Sequence, residues 1–247
     1  MTMSDITIVD ETDNYLVVEK PHSLATVPLS YHDDKTTLLS MLAGDYPEIL
    51  GDRYEGYVLH RLDTETRGLV LIARNETFYR HMLKEQKEGR FIKHYHALCS
   101  YKEPKEGYPS FPFLLSSHKV ADITSSFRAY GVGRRQVRPV STTSSLFARK
   151  KSGSSEYVSS VLLLESENGR TLCDISLDKG FRHQVRSHLA WASLPIIGDK
   201  IYHGKEHQVL HLISYKVGFY NLIDRSRVEY CLYEDGTDPF CDTRYKE

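Results

Sequence analysis

The 247-residue sequence predicts an α+β fold, in which a mixed, mostly antiparallel sheet is flanked by helices and loops. Many short segments have the apolar–polar alternation of β-strands, whereas only about three have helical periodicity. The strands and helices do not alternate regularly along the chain, which favours the α+β class. Neither an internal repeat nor a linker divides the chain convincingly, so we expect a single domain over residues 1–247.

The first 90 residues are predicted to form short strands and helices. Residues 6–20 contain two strands around a polar turn, and residues 36–47 contain a short amphipathic helix ended by a glycine and a proline. The segment VLHRLDTETRGLVLIARN, residues 58–75, then supplies a strand, the polar turn DTET and a second strand. Its last residue, Asn75, is the expected N-cap of a helix that stops at Gly89.

The rest of the chain is richer in predicted strands than in helices. A strand is expected over RFIKHYHALCSY, and residues 102–153 are expected to mix short strands with flexible loops. YVSSVLLLES and RTLCDISLD predict a hairpin around Glu167-Asn168-Gly169. HQVRSHLAWAS predicts a helix that Pro195 ends, and QVLHLISYKVGFY and SRVEYCLYE predict two more strands.

The composition limits the class of protein. The chain is 40% hydrophobic and 26% charged, as globular proteins usually are, and no apolar run is long enough to cross a bilayer. The N-terminus lacks the basic and apolar regions of a secretion signal. Cys99, Cys173, Cys231 and Cys241 are scattered without CxxC spacing, which indicates neither a zinc site nor a disulfide framework. We expect a cytoplasmic protein without membrane association or an obligatory protein partner.

The charge is unevenly distributed along the chain. The net charge of −1 would by itself argue against a polyanionic partner. However, residues 128–151 contain seven cations and no carboxylate, while the C-terminal region is acidic. Such an asymmetry permits a local basic patch on a neutral protein, although a solvated basic loop would have the same sequence.

Arg61 and Asp63 form the first candidate site. Two residues apart, they would share one face of an extended strand. A neighbouring cation favours the ionised form of a carboxylate, which suits a nucleophile or a charge stabiliser better than a general acid. A surface ion pair would give the same pattern.

A second candidate lies in residues 179–204. Arg182 and Arg186 are four residues apart, so we expect both on one face near the start of the predicted helix. Cations there oppose the helix dipole, so helix stability does not favour them. The pattern indicates an anionic partner, either a phosphate or a carboxylate.

Four segments resemble motifs of the RluA-type RNA pseudouridine synthases and occur in that family's order. HRLDTETRGLVL is similar to the family's HRLDxxTSGLLL, and HQVRSHLAWASLPIIGDKIY to its HQIRxHLAxxGxPIxGDxxYG. FIKHYHALCSY resembles its K-x-Y-x-A strand, and IVDETDNYLVVEKPHSLATVP resembles the first strands of its catalytic domain, which end in Lys-Pro. Together they cover nearly the whole chain. The resemblance implies the pseudouridine synthase catalytic fold.

The resemblance also implies an activity and its residues. The family converts uridine in RNA, here rRNA or tRNA, to pseudouridine by breaking the N-glycosidic bond and rejoining the base through C5, without cofactor or metal. By position, Asp63 would be the catalytic aspartate, Tyr95 would stack on the target base, and Arg186 would pair with the aspartate. Arg61 matches a residue that can fill the space of an extruded base. Other substrate contacts are expected from His60, Arg67, Arg182, His183 and Gln184.

The sequence departs from the family pattern at several positions. Arg67 stands where the family has serine, and it could reach a phosphate or crowd the pocket. Phe181 precedes Arg182, so the first arginine of the third motif is displaced by one residue, which is about 100° on a helix. Ser193 replaces a glycine. These changes bear on substrate choice more than on activity.

RNA recognition is expected from the catalytic domain itself. The sequence begins directly in the family's catalytic domain, so no separate N-terminal RNA-binding domain is expected. The loop-rich basic segment, defined here as residues 102–153, is then the expected RNA contact. Its candidate contacts with the RNA backbone are Arg134, Arg135 and Arg138.

Two other functions fit parts of the sequence. An RNA-binding protein that kept the fold and lost catalysis is the first alternative, because positions near the site have changed. A hydrolase that uses Asp63 on another glycosidic bond is the second, but a retaining glycosidase needs a second carboxylate at about 5 Å. Glu65 and Asp199 are the nearby candidates, and neither has a clear role as an acid. His203, His207 and His211 have metal-ligand spacing, but His211 lies in a predicted strand, so no metal is expected.

Overall fold

The computed structural model describes residues 6–30, 35–104, 106–233 and 239–240. These ranges contain ten strands: β1 (Thr7–Glu11), β2 (Tyr15–Lys20), β3 (Arg67–Ala73), β4 (Ile92–Ser100), β5 (Ala121–Tyr130), β6 (Gln136–Val140), β7 (Tyr157–Glu167), β8 (Arg170–Leu177), β9 (Leu212–Tyr220) and β10 (Arg227–Cys231). They also contain four α-helices: α1 (Leu38–Leu42), α2 (Glu76–Lys87), α3 (Leu146–Lys150) and α4 (Gln184–Trp191).

The chain divides into two compact units. Unit 1 comprises Met1–Lys93 and Ile213–Thr237, and unit 2 comprises His94–Leu212 and Asp238–Glu247. In unit 1 the strand order is β1-β2-β3-β9-β10, and only the β3/β9 pair among these described strands is parallel. In unit 2 the order is β4-β8-β7-β5-β6, with β5/β6, β5/β7 and β7/β8 antiparallel. The predicted α+β class with a mixed, mostly antiparallel sheet is confirmed.

The core of unit 1 forms between its sheet and α2. Phe78 and Met82 of α2 lie in one buried cluster with Tyr15, Leu69 and other apolar side chains of the sheet. The predicted N-cap is confirmed, since the Oδ1 atom of Asn75 accepts the backbone N–H of Phe78 at 2.9 Å. The cap fixes where the helix begins, and the apolar face of the helix then packs on the strands.

The strand predicted before Asp63 does not form. Residues 59–66 lie outside regular strands, and Val58 makes only an isolated bridge with Ile72. The imidazole Nε2 of His60 accepts the backbone N–H of Leu71 at 3.1 Å, so a side chain replaces the next backbone partner. The β-ladder ends there, and the chain continues as the irregular segment that contains Asp63.

Gly68 meets a requirement that other residues cannot meet. Its φ is 118°, and a Cβ atom built on it would lie 2.2 Å from the carbonyl oxygen of Ser214 on the paired strand β9. Only glycine allows this backbone to approach β9 so closely. The turn therefore re-enters the sheet at a position where no side chain fits.

Two hairpins and one helix organise unit 2. The predicted β7–β8 hairpin is confirmed, and Asn168 and Gly169 both have positive φ, as a type I′ turn requires. The basic segment contributes the second hairpin, β5–β6, as well as α3, so it is more regular than its composition suggests. All eight residues of α4 are buried.

Candidate functional site

Asp63 opens a tight polar turn in unit 1. Its backbone carbonyl accepts the N–H of Thr66 at 3.0 Å, which closes the turn Asp63–Thr66. Asp63 is partly exposed, and the next two residues, Thr64 and Glu65, are exposed. The predicted DTET turn is therefore present, with the carboxylate-bearing residue at its first position.

Side chains from residues 20–26 hold this turn at several backbone atoms. The hydroxyl of Thr26 donates to the carbonyl of Leu62 at 2.9 Å and accepts the N–H of Leu62 at 3.1 Å. The Nδ1 of His22 lies 2.7 Å from the carbonyl of Glu65, and burial lowers the pKa of this histidine, so a neutral ring with Nδ1–H donates. The backbone on both sides of Asp63 is thus fixed by hydrogen bonds.

Lys20 is buried beneath the turn. Its ammonium donates to the carbonyl oxygens of Pro21 (2.9 Å), Leu24 (2.7 Å) and Thr64 (3.2 Å), and its side chain is fully enclosed. Burial lowers the pKa of Lys20 to about 7, and the nearby carboxylates of Asp63 and Glu65 act in the opposite direction. A lysine whose pKa is lowered to about 7 is therefore held under the segment that presents the candidate catalytic carboxylate.

The remaining predicted residues of this motif occupy different environments. His60 packs edge-on against Phe91, and burial lowers its pKa to about 3, so the ring is neutral. Arg61 is exposed and binds the carboxylate of Glu55 at 3.0 Å. Arg67 is buried and lies 3.4 Å from a carboxylate oxygen of Glu19. Substrate contacts by these three residues stay predictions.

In unit 2, Tyr95 and Arg186 lie on regular elements. Tyr95 is a buried residue of β4. The guanidinium of Arg186 on α4 makes a two-point ion pair with Asp199, with Nε–Oδ2 at 2.7 Å and Nη2–Oδ1 at 2.8 Å, and both side chains are buried. Asp199 also accepts the backbone N–H groups of Ile201 and Tyr202 at 2.9 Å each. The planar fork of Arg186 is thereby fixed in one orientation.

Arg182 and Arg186 do not share a helix face. The helix α4 begins at Gln184, and His183 precedes it in the left-handed conformation with φ of 56°. That part of the prediction is wrong, because the left-handed residue turns the chain before the helix starts. Arg182 instead donates to the carbonyl of Arg134 at 2.6 Å, and so joins the start of α4 to the basic segment.

Both the oxygen and the nitrogen of the Gln184 side-chain amide form hydrogen bonds within the protein. Its Nε2 donates to the carbonyl of Val158 (2.9 Å) and its Oε1 accepts the N–H of Phe181 (2.9 Å). His183 lies 3.3 Å from the hydroxyl of Tyr202 through Nδ1. These contacts fix the start of α4, and a direct contact of either residue with substrate stays a prediction.

The three arginines of the basic segment lie at or beside the β5–β6 hairpin. Arg134 and Arg135 are exposed, and Arg138 is buried. The Cζ atom of Arg138 lies 3.7 Å from the ring centre of Tyr108 and 4.6 Å from the ring centre of Tyr130. Arg135 and Arg138 line a concave surface, whereas Arg149 and Lys150 of the same cluster lie on α3.

Sequence reasoning missed the structural roles of Lys20 in unit 1 and of Asp199 in unit 2. Lys20 stands in the Lys-Pro motif, but nothing in its sequence neighbourhood shows that it is enclosed under a turn 43 residues later. By its sequence position Asp199 is only a candidate acid. Its signal was the family motif GDKIY, in which a buried aspartate follows the tight turn at Gly198.

The fold and these motifs define a class: an α+β protein with a fixed carboxylate turn and a buried arginine ion pair. The family model described as RNA pseudouridylate synthase matches residues 14–191. The chain therefore belongs to the RNA pseudouridylate synthase family.

Curated relatives are similar over most of this chain. An uncharacterized RNA pseudouridine synthase of Chloroflexus aurantiacus is 29% identical over 194 residues, which cover 78% of this chain and 53% of that protein. The ribosomal large subunit pseudouridine synthase D of Haemophilus ducreyi is 27% identical over 200 residues, which cover 81% of this chain and 53% of that protein. The chain spans about half the length of these two relatives.

A solved structure has the same fold. Human RNA pseudouridylate synthase domain containing 1 matches with a TM-score of 0.69 and 19% identity, covering 95% of this chain and 85% of that one. Over the described residues, no helix is long and apolar enough to span a membrane, and no group of three potential metal ligands is present.

Proposed function

We propose that this chain isomerises uridine in structured RNA to pseudouridine. The observation that carries the proposal is the turn at Asp63, where hydrogen bonds from Lys20, His22 and Thr26 hold the backbone around a partly exposed carboxylate. Such fixed geometry is what a group that reacts with a positioned substrate requires. Family membership over residues 14–191 supports the same activity.

The reaction needs no external reactant. The N1–C1′ bond of the target uridine breaks and the C5–C1′ bond forms. The hydrogen on C5 leaves as a proton to solvent, and N1 takes up one proton, so the composition of the nucleotide is unchanged. Asp63 is proposed as the catalytic carboxylate. Tyr95 is proposed to stack on the target base after the nucleotide leaves its helix stack. The expected pairing of Arg186 with the catalytic aspartate stays a prediction.

Ribosomal RNA is the substrate that we favour over tRNA. Several similar proteins are named ribosomal large subunit pseudouridine synthase D. The cytoplasmic location and the single-domain organisation stay predictions, as does the RNA-backbone role of Arg134, Arg135 and Arg138.

Release of the C5 hydrogen gives a direct test. RNA transcribed with [5-³H]uridine, in separate rRNA and tRNA preparations, would be incubated with the purified chain and with Asp63→Asn. We expect tritium release by the unchanged chain and none by the variant, because an amide cannot serve as nucleophile or base. RNA affinity of the variant should stay within a few fold, since the turn is held through backbone atoms.

The same assay separates the alternative functions. A hydrolase would release free uracil and leave tritium on the base. A binding protein that lost catalysis would retain the RNA and release neither. Tritium release by Asp63→Asn in a single turnover would exclude Asp63 as the catalytic group.

A further inference from the structure

We infer that a cavity beside the β5–β6 hairpin binds a phosphodiester group of single-stranded RNA, which deepens and rests on the proposed function. The cavity has a volume of about 650 Å³ and lies within unit 2. We call it the hairpin pocket, and its lining includes Glu106, Tyr130, Gly131, Gly133, Arg135 and Arg138.

A buried cation in the wall of the pocket is the first reason. Arg138 is 3% exposed, and its Nε and Nη1 atoms have no hydrogen-bond partner within the described part of the chain. Among the described residues no carboxylate forms an ion pair with it. A buried charge is costly unless it is paired. An anion in the pocket would supply that pairing.

The arrangement of charges around Arg138 points the same way. Arg128 lies directly opposite Arg138 in the β5–β6 register, and their Cζ atoms lie 4.9 and 4.6 Å from the centre of one ring, that of Tyr130. Like charges at directly opposed strand positions are destabilising. Stability of the hairpin therefore does not account for the pair, whereas a bound anion would offset the repulsion.

The aromatic side chains favour RNA over other polyanions. The Cζ atom of Arg138 lies 3.7 Å from the ring centre of Tyr108 and 4.6 Å from that of Tyr130, and contact with aromatic rings favours a defined orientation of a guanidinium. Cationic grooves with interleaved aromatic residues are typical of proteins that bind single-stranded nucleic acid. Gly131 and Gly133 at the rim have positive φ, and a Cβ on Gly131 would meet nothing within 4 Å, so the rim is open.

One carboxylate opposes the binding. Glu106 is exposed and lines the same pocket. Its charge would repel a phosphate, so its removal should strengthen binding. This opposite response makes Glu106 useful for a test, because destabilisation of the fold would not increase affinity.

The test is the affinity of a fluorescein-labelled single-stranded RNA dodecamer, measured by anisotropy at several KCl concentrations. Arg135→Gln removes an exposed cation of the pocket, and Arg149→Gln removes an exposed cation of the same basic segment outside it. We expect Arg135→Gln to weaken binding about three- to tenfold and to flatten the log–log salt slope by about 0.7, the value for one phosphate on a single strand. Arg149→Gln should change neither, and Glu106→Gln should tighten binding.

Several outcomes would overturn the inference. These are equal effects of Arg135→Gln and Arg149→Gln, weaker binding by Glu106→Gln, and no measurable binding of the dodecamer to the unchanged chain. Displacement of the dodecamer by millimolar inorganic phosphate would assign the pocket to a free anion, and displacement by polyglutamate at equal charge would assign it to an acidic peptide.

The tritium assay keeps the two proposals distinct. If Arg135→Gln binds RNA as the unchanged chain does and still releases tritium, the proposed phosphate site is refuted and the proposed isomerase activity stands. Pocket-dependent binding without tritium release would refute the isomerase and leave an RNA-binding pocket.

Discussion

At the scale of single residues, each unit encloses a charged side chain that holds nearby backbone groups in place. The ammonium of Lys20 uses its three hydrogens on three backbone carbonyls, and one of these belongs to the turn that begins at Asp63. The carboxylate of Asp199 similarly accepts from Arg186 and from two backbone N–H groups. Lys20 and Asp199 therefore hold backbone groups in position, and neither is proposed to take part in the reaction.

Replacing Lys20 tests the first of these contacts. Lys20→Met leaves three carbonyl groups without their donor, and we expect the free energy of unfolding to fall by about 2–4 kcal/mol. Because burial lowers the pKa of Lys20 to about 7, the unfolded chain binds more protons between that value and the ordinary 10.5. The stability of the unchanged chain should therefore rise with pH across this window, by at most about 1.4 kcal/mol per unit.

Urea unfolding at pH 7.0, 8.0 and 9.0 measures this effect. The difference between the unchanged chain and Lys20→Met isolates the lysine, because other groups titrate in both. A difference that stays constant from pH 7 to 9 would contradict the lowered pKa.

Replacing Arg186 tests the second contact. Arg186→Leu leaves the buried carboxylate of Asp199 without its cation, and we expect a loss of about 3–5 kcal/mol in unfolding free energy. Adding Asp199→Asn removes the stranded charge and keeps an acceptor for the backbone N–H groups, so the double variant should regain part of the loss. Denaturation curves of the unchanged chain and the two variants decide this, and a double variant less stable than Arg186→Leu would contradict the pairing.

Motif identity selects candidate residues from the sequence, but it does not predict the partners of those residues in the fold. Asp63, Tyr95 and Arg186 could be selected from the sequence because their motifs are specific. The environments of His60 and Arg67 could not, since whether a polar side chain is buried depends on strands distant in the chain. Local sequence also suggested a common helix face for Arg182 and Arg186, but the left-handed conformation of His183 separates them.

At the scale of elements, hydrogen bonds from side chains decide where helices and strands begin and end. Asn75 was predictable as the N-cap of α2 because its residue type and position are local signals. The absence of a regular strand before Asp63 was not predictable, because the side chain of His60 takes the place of a backbone acceptor for the N–H of Leu71. Such a substitution of side chain for backbone has no periodic signature.

The cap of α2 gives a prediction at this scale. Asn75→Ala removes the acceptor for Phe78 N–H and the donor to the carbonyl of Asp13, so unfolding free energy should fall by about 1–2 kcal/mol. Asn75→Ser keeps an acceptor and should lose less. Thermal denaturation of the two variants is the measurement, and equal losses would show that the cap is not the source of the stability.

At the scale of the whole molecule, attraction to RNA depends more on where the charges lie than on the net charge. The chain has a net charge of −1, yet seven cations without a carboxylate occupy residues 128–151. Arginine stays charged at any pH in which the protein is folded. Attraction to RNA should therefore follow the arginines beside the β5–β6 hairpin rather than the net charge of the chain.

RNA binding through arginine side chains should depend little on pH. Between pH 7.5 and 9.0 the log–log salt slope for the single-stranded dodecamer should change by less than about 0.5, because the phosphates neutralised by arginine stay the same. Anisotropy titrations at the two pH values measure the slope. A steady loss of slope with rising pH would assign the contacts to groups that titrate in this range.

The β7–β8 hairpin has a chemical consequence for the ageing of the protein. Its tip is Asn168 followed by Gly169, and the glycine leaves the asparagine amide open to attack by the next backbone nitrogen. That cyclisation releases ammonia, and its hydrolysis gives aspartate or isoaspartate, which lengthens the main chain by one carbon. An isoaspartate linkage no longer fits a two-residue turn, so stored preparations would accumulate molecules with a damaged hairpin and one additional negative charge.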